Sequence, residues 1–311
     1  MRPTASVTPI RPGAESAPVP RRRSPYTAFV LSGGASLGAV QAGMLRALYE
    51  RDIAPDVLVG TSVGALNAAF VASRPQTPAT AAELARVWCN IQREDVFPMS
   101  VRALLRGIGG HRDHLVSDRA LRDLVGRYIE FKDLAQPAIP VHVVAFDVVE
   151  GREVLLSAGP ALDAVAASAS IPGVFPPVAI GDRRLIDGGV VNNTPISHAV
   201  ELGAERIYVL PTQSGPRALG RAPRGAVDAA LYGLSLLVDG RMAADVTRYS
   251  NDVELIVLPA THGLQILPTD FEHSSRLIGQ GLAATRELLA RREADAPRLA
   301  PVLRTGNRSA A

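Results

Sequence analysis

Two rhythms of apolar residues alternate along this chain. Thr27-Ala28-Phe29-Val30-Leu31 and Val57-Leu58-Val59 are short, nearly unbroken apolar runs, the pattern of strands buried on both faces. Each is followed by a helical pattern: Val40, Met44, Leu45 and Leu48 share one face, and Ala65 to Val71 is apolar almost throughout. The spacing predicts strand 27–31, helix 38–51, strand 56–60, helix 63–73 and an amphipathic helix over 79–92. Further on it predicts strand 141–147 with a hairpin partner at 153–157, and a small-residue helix over 162–169 that Pro172 ends. A hairpin at 178–186 turns on Gly181-Asp182, and Thr194-Pro195 reads as the N-cap and first residue of a helix to Leu202. Strands near 206–210 and 253–258 enclose a long helix near 226–250, and a last amphipathic helix covers 274–292. Strands alternating with helices pair in parallel through crossovers, so the expected fold is α/β: a mostly parallel central sheet flanked by helices on both faces. Ligands in such folds bind outside the carboxyl ends of the strands.

Three segments depart from that rhythm. Residues 1–24 carry five prolines and five arginines without apolar periodicity, which predicts a disordered leader, and 294–311 read as a flexible tail. Between them a single domain is expected over 25–293. Within it, 97–128 contains an apolar, arginine-studded run, Val101 to Gly110, that fits either a lid over a pocket or a helix packed on the sheet.

Chemistry concentrates where strands turn into helices. Gly60-Thr61-Ser62-Val63-Gly64 puts a serine between glycines at the end of the second strand, where a sharp turn would expose it in a strained conformation; Ser62 is a candidate nucleophile. Gly33-Gly34-Ala35-Ser36-Leu37-Gly38 follows the first strand, and paired glycines there let successive N–H groups converge at a helix N-terminus, a cradle for an anion or oxyanion. Asp187-Gly188-Gly189 ends a later strand, where the glycines leave the carboxylate uncrowded. A glycine-rich first βα turn also opens dinucleotide-binding units, but the spacing here is G-G-x-x-x-G rather than G-x-G-x-x-G, and the expected ribose-binding acid would fall in the approach to the serine.

Together the glycine loop, the elbow, Ala167-Ser168-Ala169-Ser170-Ile171-Pro172-Gly173-Val174-Phe175-Pro176-Pro177 and Leu185-Ile186-Asp187-Gly188-Gly189 resemble the patatin-like phospholipase family, in the family's order, over about residues 26–215. The resemblance implies a three-layer fold and a serine acyl hydrolase that cleaves phospholipid or acylglycerol esters through a Ser-Asp dyad. It assigns Ser62 as nucleophile, Asp187 as base and the amides of Gly33, Gly34 and Ala35 as oxyanion hole, with Gly38, Gly60, Gly64, Gly188 and Gly189 as supporting glycines. The family's usual loop carries a third glycine and an arginine where this chain has Ala35 and Leu37. Soluble esters or thioesters as substrates, or a lipid-binding scaffold without turnover, remain as alternatives.

The order Ser62, Asp187, then His198, His262 or His273 also permits a triad of the α/β-hydrolase kind. Against it, the elbow follows only one βα unit, and none of those histidines sits in a glycine-supported loop; His111 and His114 lie in a polar segment. The single lysine, Lys132, lacks a motif around it, and with Cys89 alone and no H-E-x-x-H string neither a metal nor a cofactor is expected. Composition narrows the class further. Over 311 residues, 47% are hydrophobic and 20% charged, enough to bury a substantial core. The net charge of +3 gathers partly in Arg21-Arg22-Arg23 and in Arg286, Arg291, Arg292, Arg298, Arg304 and Arg308, which would favour peripheral contact with anionic lipid; no aromatic platform or zinc spacing supports nucleic acid. Neither a transmembrane segment nor a cleaved signal peptide is expected, since cleavage after the first apolar run would remove the glycine loop, and a cytoplasmic location follows.

Overall fold

The computed structural model describes residues 24–98, 114, 116–213, 236, 238, 240–260 and 270–295. Within these, one mixed sheet holds β1 (Thr27–Leu31), β2 (Val57–Thr61), β3 (Val141–Asp147), β4 (Arg152–Leu156), β5 (Val178–Ile180), β6 (Arg183–Asp187), β7 (Arg206–Leu210) and β8 (Glu254–Val257). The hydrogen-bonded path runs β5-β6-β3-β2-β1-β7-β8, with β4 also paired to β3. β1, β2, β3, β7 and β8 are parallel, while β4, β5 and β6 join antiparallel. The mostly parallel sheet expected from the sequence is therefore present, with an antiparallel flank at the β3 side.

Helices cover both faces, which is why β1 and β2 are buried at every residue and read as unbroken apolar runs. Phe29 and Leu31 point to one side, into a core shared with α1 (Ala39–Tyr49), α2 (Val63–Ala72), α3 (Pro78–Asn90) and the C-terminal helix Ser274–Asp295. Ala28 and Val30 point to the other, against Ile196 and Ala199 of the helix Ile196–Glu201 and Met242 and Val246. Burying a large side chain as fully as Phe29 or Leu31 contributes about 1.5–3 kcal/mol each. The C-terminal helix crosses α1 backbone to backbone: a Cβ at Gly281 would lie 2.5 Å from the Val40 carbonyl oxygen, and one at Gly43 would strike that of Ile278. Alanine at either crossing point would force the helices apart.

Two local expectations need correction. A 3-10 turn, Ala35–Gly38, precedes α1, so the glycine loop enters the helix through a tighter coil than the helical pattern suggested. The helix after Thr194-Pro195 starts one residue late, because Pro195 (φ −78°, ψ 59°) makes an inverse γ-turn in which the Ile196 N–H bonds to the Thr194 carbonyl. Three arginines of the last helix take part in surface ion pairs. Arg286 pairs with Glu50 at 2.7 Å, Arg292 with Glu254 at 2.8 Å, and Arg291 with Glu287. No helix among the described residues is long and apolar enough to cross a membrane. The run Val101 to Gly110, His111, His262, the leader to residue 23, the first part of the helix expected near 226–250 and the tail from 296 lie outside the described residues.

Candidate active site

Ser62 stands alone between the last residue of β2 and the first of α2. Its backbone (φ 54°, ψ −126°) lies in a region that costs a residue with a Cβ about 1–3 kcal/mol. The flanking glycines serve close approach. A Cβ at Gly60 would sit 2.6 Å from the Gly64 oxygen and 2.7 Å from the Ala65 nitrogen, and one at Gly64 would strike the Leu31 carbonyl. Strand and helix can pass this closely only without side chains at these two positions.

Sheet register brings the carboxylate to the serine. On one edge of β3, Val144 pairs with Thr61, the last residue of β2; the next residue, Ala145, pairs with Asp187 of β6. β4 takes the other edge from Val143 to Asp147, so β6 enters the place that β2 vacates. The Ser62 hydroxyl donates to Asp187 Oδ2 at 2.7 Å, and the Gly189 N–H donates to Oδ1 at 2.7 Å. Both side chains are buried, with the residues only 7% and 6% exposed. Burial pushes the Asp187 carboxyl up from 3.8 to about 6, against the pull of the Ser62 hydroxyl and the Gly189 N–H. At neutral pH it is mostly ionised and able to take a proton.

The glycine loop faces this pair. A Cβ at Gly33 would lie 3.1 Å from that of Ser62. The Gly33 peptide, however, is engaged on both sides: its N–H donates to the Asn193 carbonyl at 3.0 Å, and its carbonyl accepts from Thr212 Oγ1 at 2.6 Å and Asn193 Nδ2 at 3.3 Å. Gly33 therefore anchors the loop with its own amide engaged, whereas the amides of Gly34 and Ala35 have no protein partner among the described residues. Ala35 takes φ 50°, in the left-handed region that favours glycine, and Leu37 is buried in the core. Gly38 leaves room for Val63, which a Cβ there would approach to 2.5 Å, and Gly188 lies against Val144.

A buried polar relay braces the loop from behind. Gln41 Nε2 donates to the carbonyls of Ser32 and Leu210, both at 2.9 Å. Asn67 Nδ2 donates to the Gly38 carbonyl at 3.0 Å and to Gln41 Oε1 at 2.8 Å, while Asn67 Oδ1 accepts from the Trp88 indole at 3.0 Å. Both ends of the loop, Ser32 and Gly38, are thus fixed by satisfied amide side chains. Trp88 also lines an apolar pocket that opens beside Ser62 and Ala35, walled by Leu66, Leu121, Phe97 and Phe271 among others. Leu121 belongs to the helix Arg119–Tyr128, so the end of the expected lid segment forms part of that wall.

Among the described residues no imidazole stands between Ser62 and Asp187, which bond directly. His198 is held by Glu153 at 2.6 Å and Glu201 at 3.0 Å; burial opposes its charge, but those carboxylates raise its pKa above the ordinary histidine value. His142 bonds Ser157, and His273 pairs with Asp270. Among the described residues no group of three or more histidine, cysteine or acidic side chains could hold a metal.

A family model for patatin-like phospholipases matches residues 29–200, a stretch that contains the loop, the elbow and the aspartate. The chain belongs to the patatin-like phospholipase family. Among its relatives, an uncharacterized NTE family protein of Mycobacterium tuberculosis is 32% identical over 168 residues, 54% of this chain and 27% of that protein. Patatin-like phospholipase domain-containing protein 7 of Mus musculus is 29% identical over 196 residues, 60% of this chain and 14% of the relative. The chain thus spans about a quarter or less of the length of these two relatives. Solved structures with a similar outline include VipD from Legionella pneumophila (15% identity, TM-score 0.46, 86% of this chain and 67% of that one). Human GIVD cytosolic phospholipase A2 in complex with methyl gamma-linolenyl fluorophosphonate is another (11%, TM-score 0.44, 86% and 58%). Patatin-like motifs do not reveal Asn193, Thr212, Gln41, Asn67 and Ser168 as parts of the site. Gln41 and Asn67 carried the clearest signal, as polar residues on helix faces that are otherwise apolar and so in need of partners.

Proposed function

We propose that this protein is a serine-dependent lipid acyl hydrolase that cleaves carboxylic esters of phospholipids or acylglycerols through the Ser62–Asp187 dyad. The observation that carries the reading is the direct 2.7 Å hydrogen bond from Ser62 to a buried carboxylate, at the mouth of an apolar pocket. Ser62 Oγ bonds to the ester carbonyl carbon while its proton passes to Asp187 Oδ2. The carbonyl electron pair moves onto oxygen, which the Gly34 and Ala35 amides receive; a preorganised donor of this kind contributes on the order of 3 kcal/mol. Collapse expels the alcohol, which takes the proton from Asp187 and leaves Ser62 acylated. Water then gives a proton to Asp187 and its oxygen to the acyl carbon, Ser62 leaves with that proton, and the fatty acid departs. A base with a pKa of about 6 suits both proton transfers at neutral pH. The pocket offers the acyl chain an apolar wall, consistent with a lipid ester as substrate.

Hydrolysis of phospholipids, acylglycerols and soluble short-chain esters by wild type and Ser62→Ala, side by side, tests the reading. Release of fatty acid from lipid esters that disappears in Ser62→Ala supports it. Turnover confined to soluble esters would move the substrate class, and turnover that survives Ser62→Ala would remove the dyad.

A further inference from the structure

The pairing of β2 with β3 ends at Thr61 and Val144, so the next amide, that of Ser62, has left the strand ladder. It does not go unpaired. The Ser62 N–H donates to Ser168 Oγ at 2.8 Å, and the Ser168 hydroxyl donates onward to the Val144 carbonyl at 2.6 Å. A hydroxyl carries one proton, so the direction of both bonds is fixed. Ser168 is fully buried at the end of the helix Ala161–Ser168. Two residues on, the Ser170 carbonyl accepts the Asp187 N–H at 2.9 Å, and the Ser170 hydroxyl closes the turn on the Ala166 carbonyl at 2.9 Å. One short turn therefore grips the backbone of both dyad members.

We propose that Ser168 is the positioning residue of the dyad: its hydroxyl bridges the Ser62 amide to β3 where β2 leaves the sheet, and so holds the strained serine with its Oγ on Asp187. This rests on the dyad reading above. Ser168 acts through Ser62 and is not itself a nucleophile, since its proton is committed to a carbonyl. Without the bridge two buried backbone groups lose their partner, and the elbow relaxes away from the left-handed conformation that aims Oγ at the carboxylate.

The test compares Ser168→Ala and Ser168→Thr with wild type, reading fluorophosphonate labelling of Ser62 and the kcat and KM for a soluble p-nitrophenyl ester across pH, with circular dichroism as the check of folding. In Ser168→Ala, labelling and kcat should fall about 50-fold or more with KM within about twofold, as expected for misplaced reacting groups. Its acidic limb should move above that of wild type, because a Ser62 hydroxyl no longer held on Asp187 ceases to lower the carboxyl pKa. Ser168→Thr keeps the hydroxyl and should recover most of the rate. If Ser168→Ala fails to fold, Ser168→Cys, with its weaker hydrogen bonds, should show the same pattern at smaller size. Labelling by folded Ser168→Ala or Ser168→Cys at the wild-type rate, or an acidic limb that stays in place, overturns the inference. A wild-type protein that neither labels nor hydrolyses esters would instead refute the dyad reading itself.

Discussion

Replacing Asp187 with asparagine should disable the protein and stabilise it, with the stabilisation visible only as pH rises. The carboxyl is displaced upward from 3.8 to about 6, chiefly by burial. A raised carboxyl pKa means that the folded state prefers the protonated form. That contribution to stability is fully present below the unfolded value near 3.8 and is lost as pH rises through about 6. Carried across the whole window, the displacement corresponds to about 3 kcal/mol, of which about 2 kcal/mol develops between roughly pH 4.5 and pH 7.5. Asparagine keeps the shape and can still accept the Gly189 N–H with its oxygen while offering its NH2 to Ser62, but it does not titrate. Urea denaturation of both proteins across this range should therefore show Asp187→Asn gaining on wild type by about 2 kcal/mol, while acylation falls roughly 100- to 10,000-fold from loss of the base. Taking the difference between the two proteins cancels the other carboxylates, including Glu50 and Glu153, whose partners hold them below the ordinary carboxylate value so that they titrate with the opposite sign. A gap that is constant with pH, or that closes as pH rises, would refute the claim that an ionised Asp187 is held at a cost inside the fold.

Strain at the elbow should show as an inverted preference: Ser62→Gly should be more stable than Ser62→Ala by about 1 kcal/mol in denaturant titration, whereas at an ordinary position glycine is the less stable of the two. Ala35→Gly should raise stability by about 0.5–1 kcal/mol in the same assay, by relieving the left-handed alanine, and should leave ester turnover within about threefold because the donors are main-chain amides. Asn67→Leu should lower kcat more than it raises KM for a soluble ester, since it frees the Gly38 end of the loop and leaves Gln41 Oε1 and the Trp88 indole N–H without a partner, at a stability cost of about 2 kcal/mol or more.

Which parts of this molecule the sequence discloses follows from how local their causes are. β1, β2 and the helices after them are legible because burial on both sheet faces leaves an uninterrupted apolar run, and burial of one helix face leaves a three-to-four residue spacing. Gly60 and Gly64 are legible because backbone crowding tolerates nothing else there. Division of labour within the glycine loop is not, since it is decided by Asn193 and Thr212, which reach Gly33 from 160 and 179 residues away. Ser168 sits in a motif that is plain in the sequence, yet its role appears only once β3 supplies Val144 as the other end of the bridge. The pairing of Arg286 and Arg292 with Glu50 and Glu254 is likewise long-range and ties the last helix to other elements.

Most direct of all is a map of where a fluorophosphonate attaches, by peptide mass spectrometry on wild type and Ser62→Ala at pH 7 and pH 5. The account predicts a single adduct on the peptide bearing Ser62, formed about tenfold more slowly at pH 5 than at pH 7 as Asp187 takes up its proton, and absent from Ser62→Ala. An adduct on another residue, or ester turnover undiminished in Ser62→Ala, would contradict it.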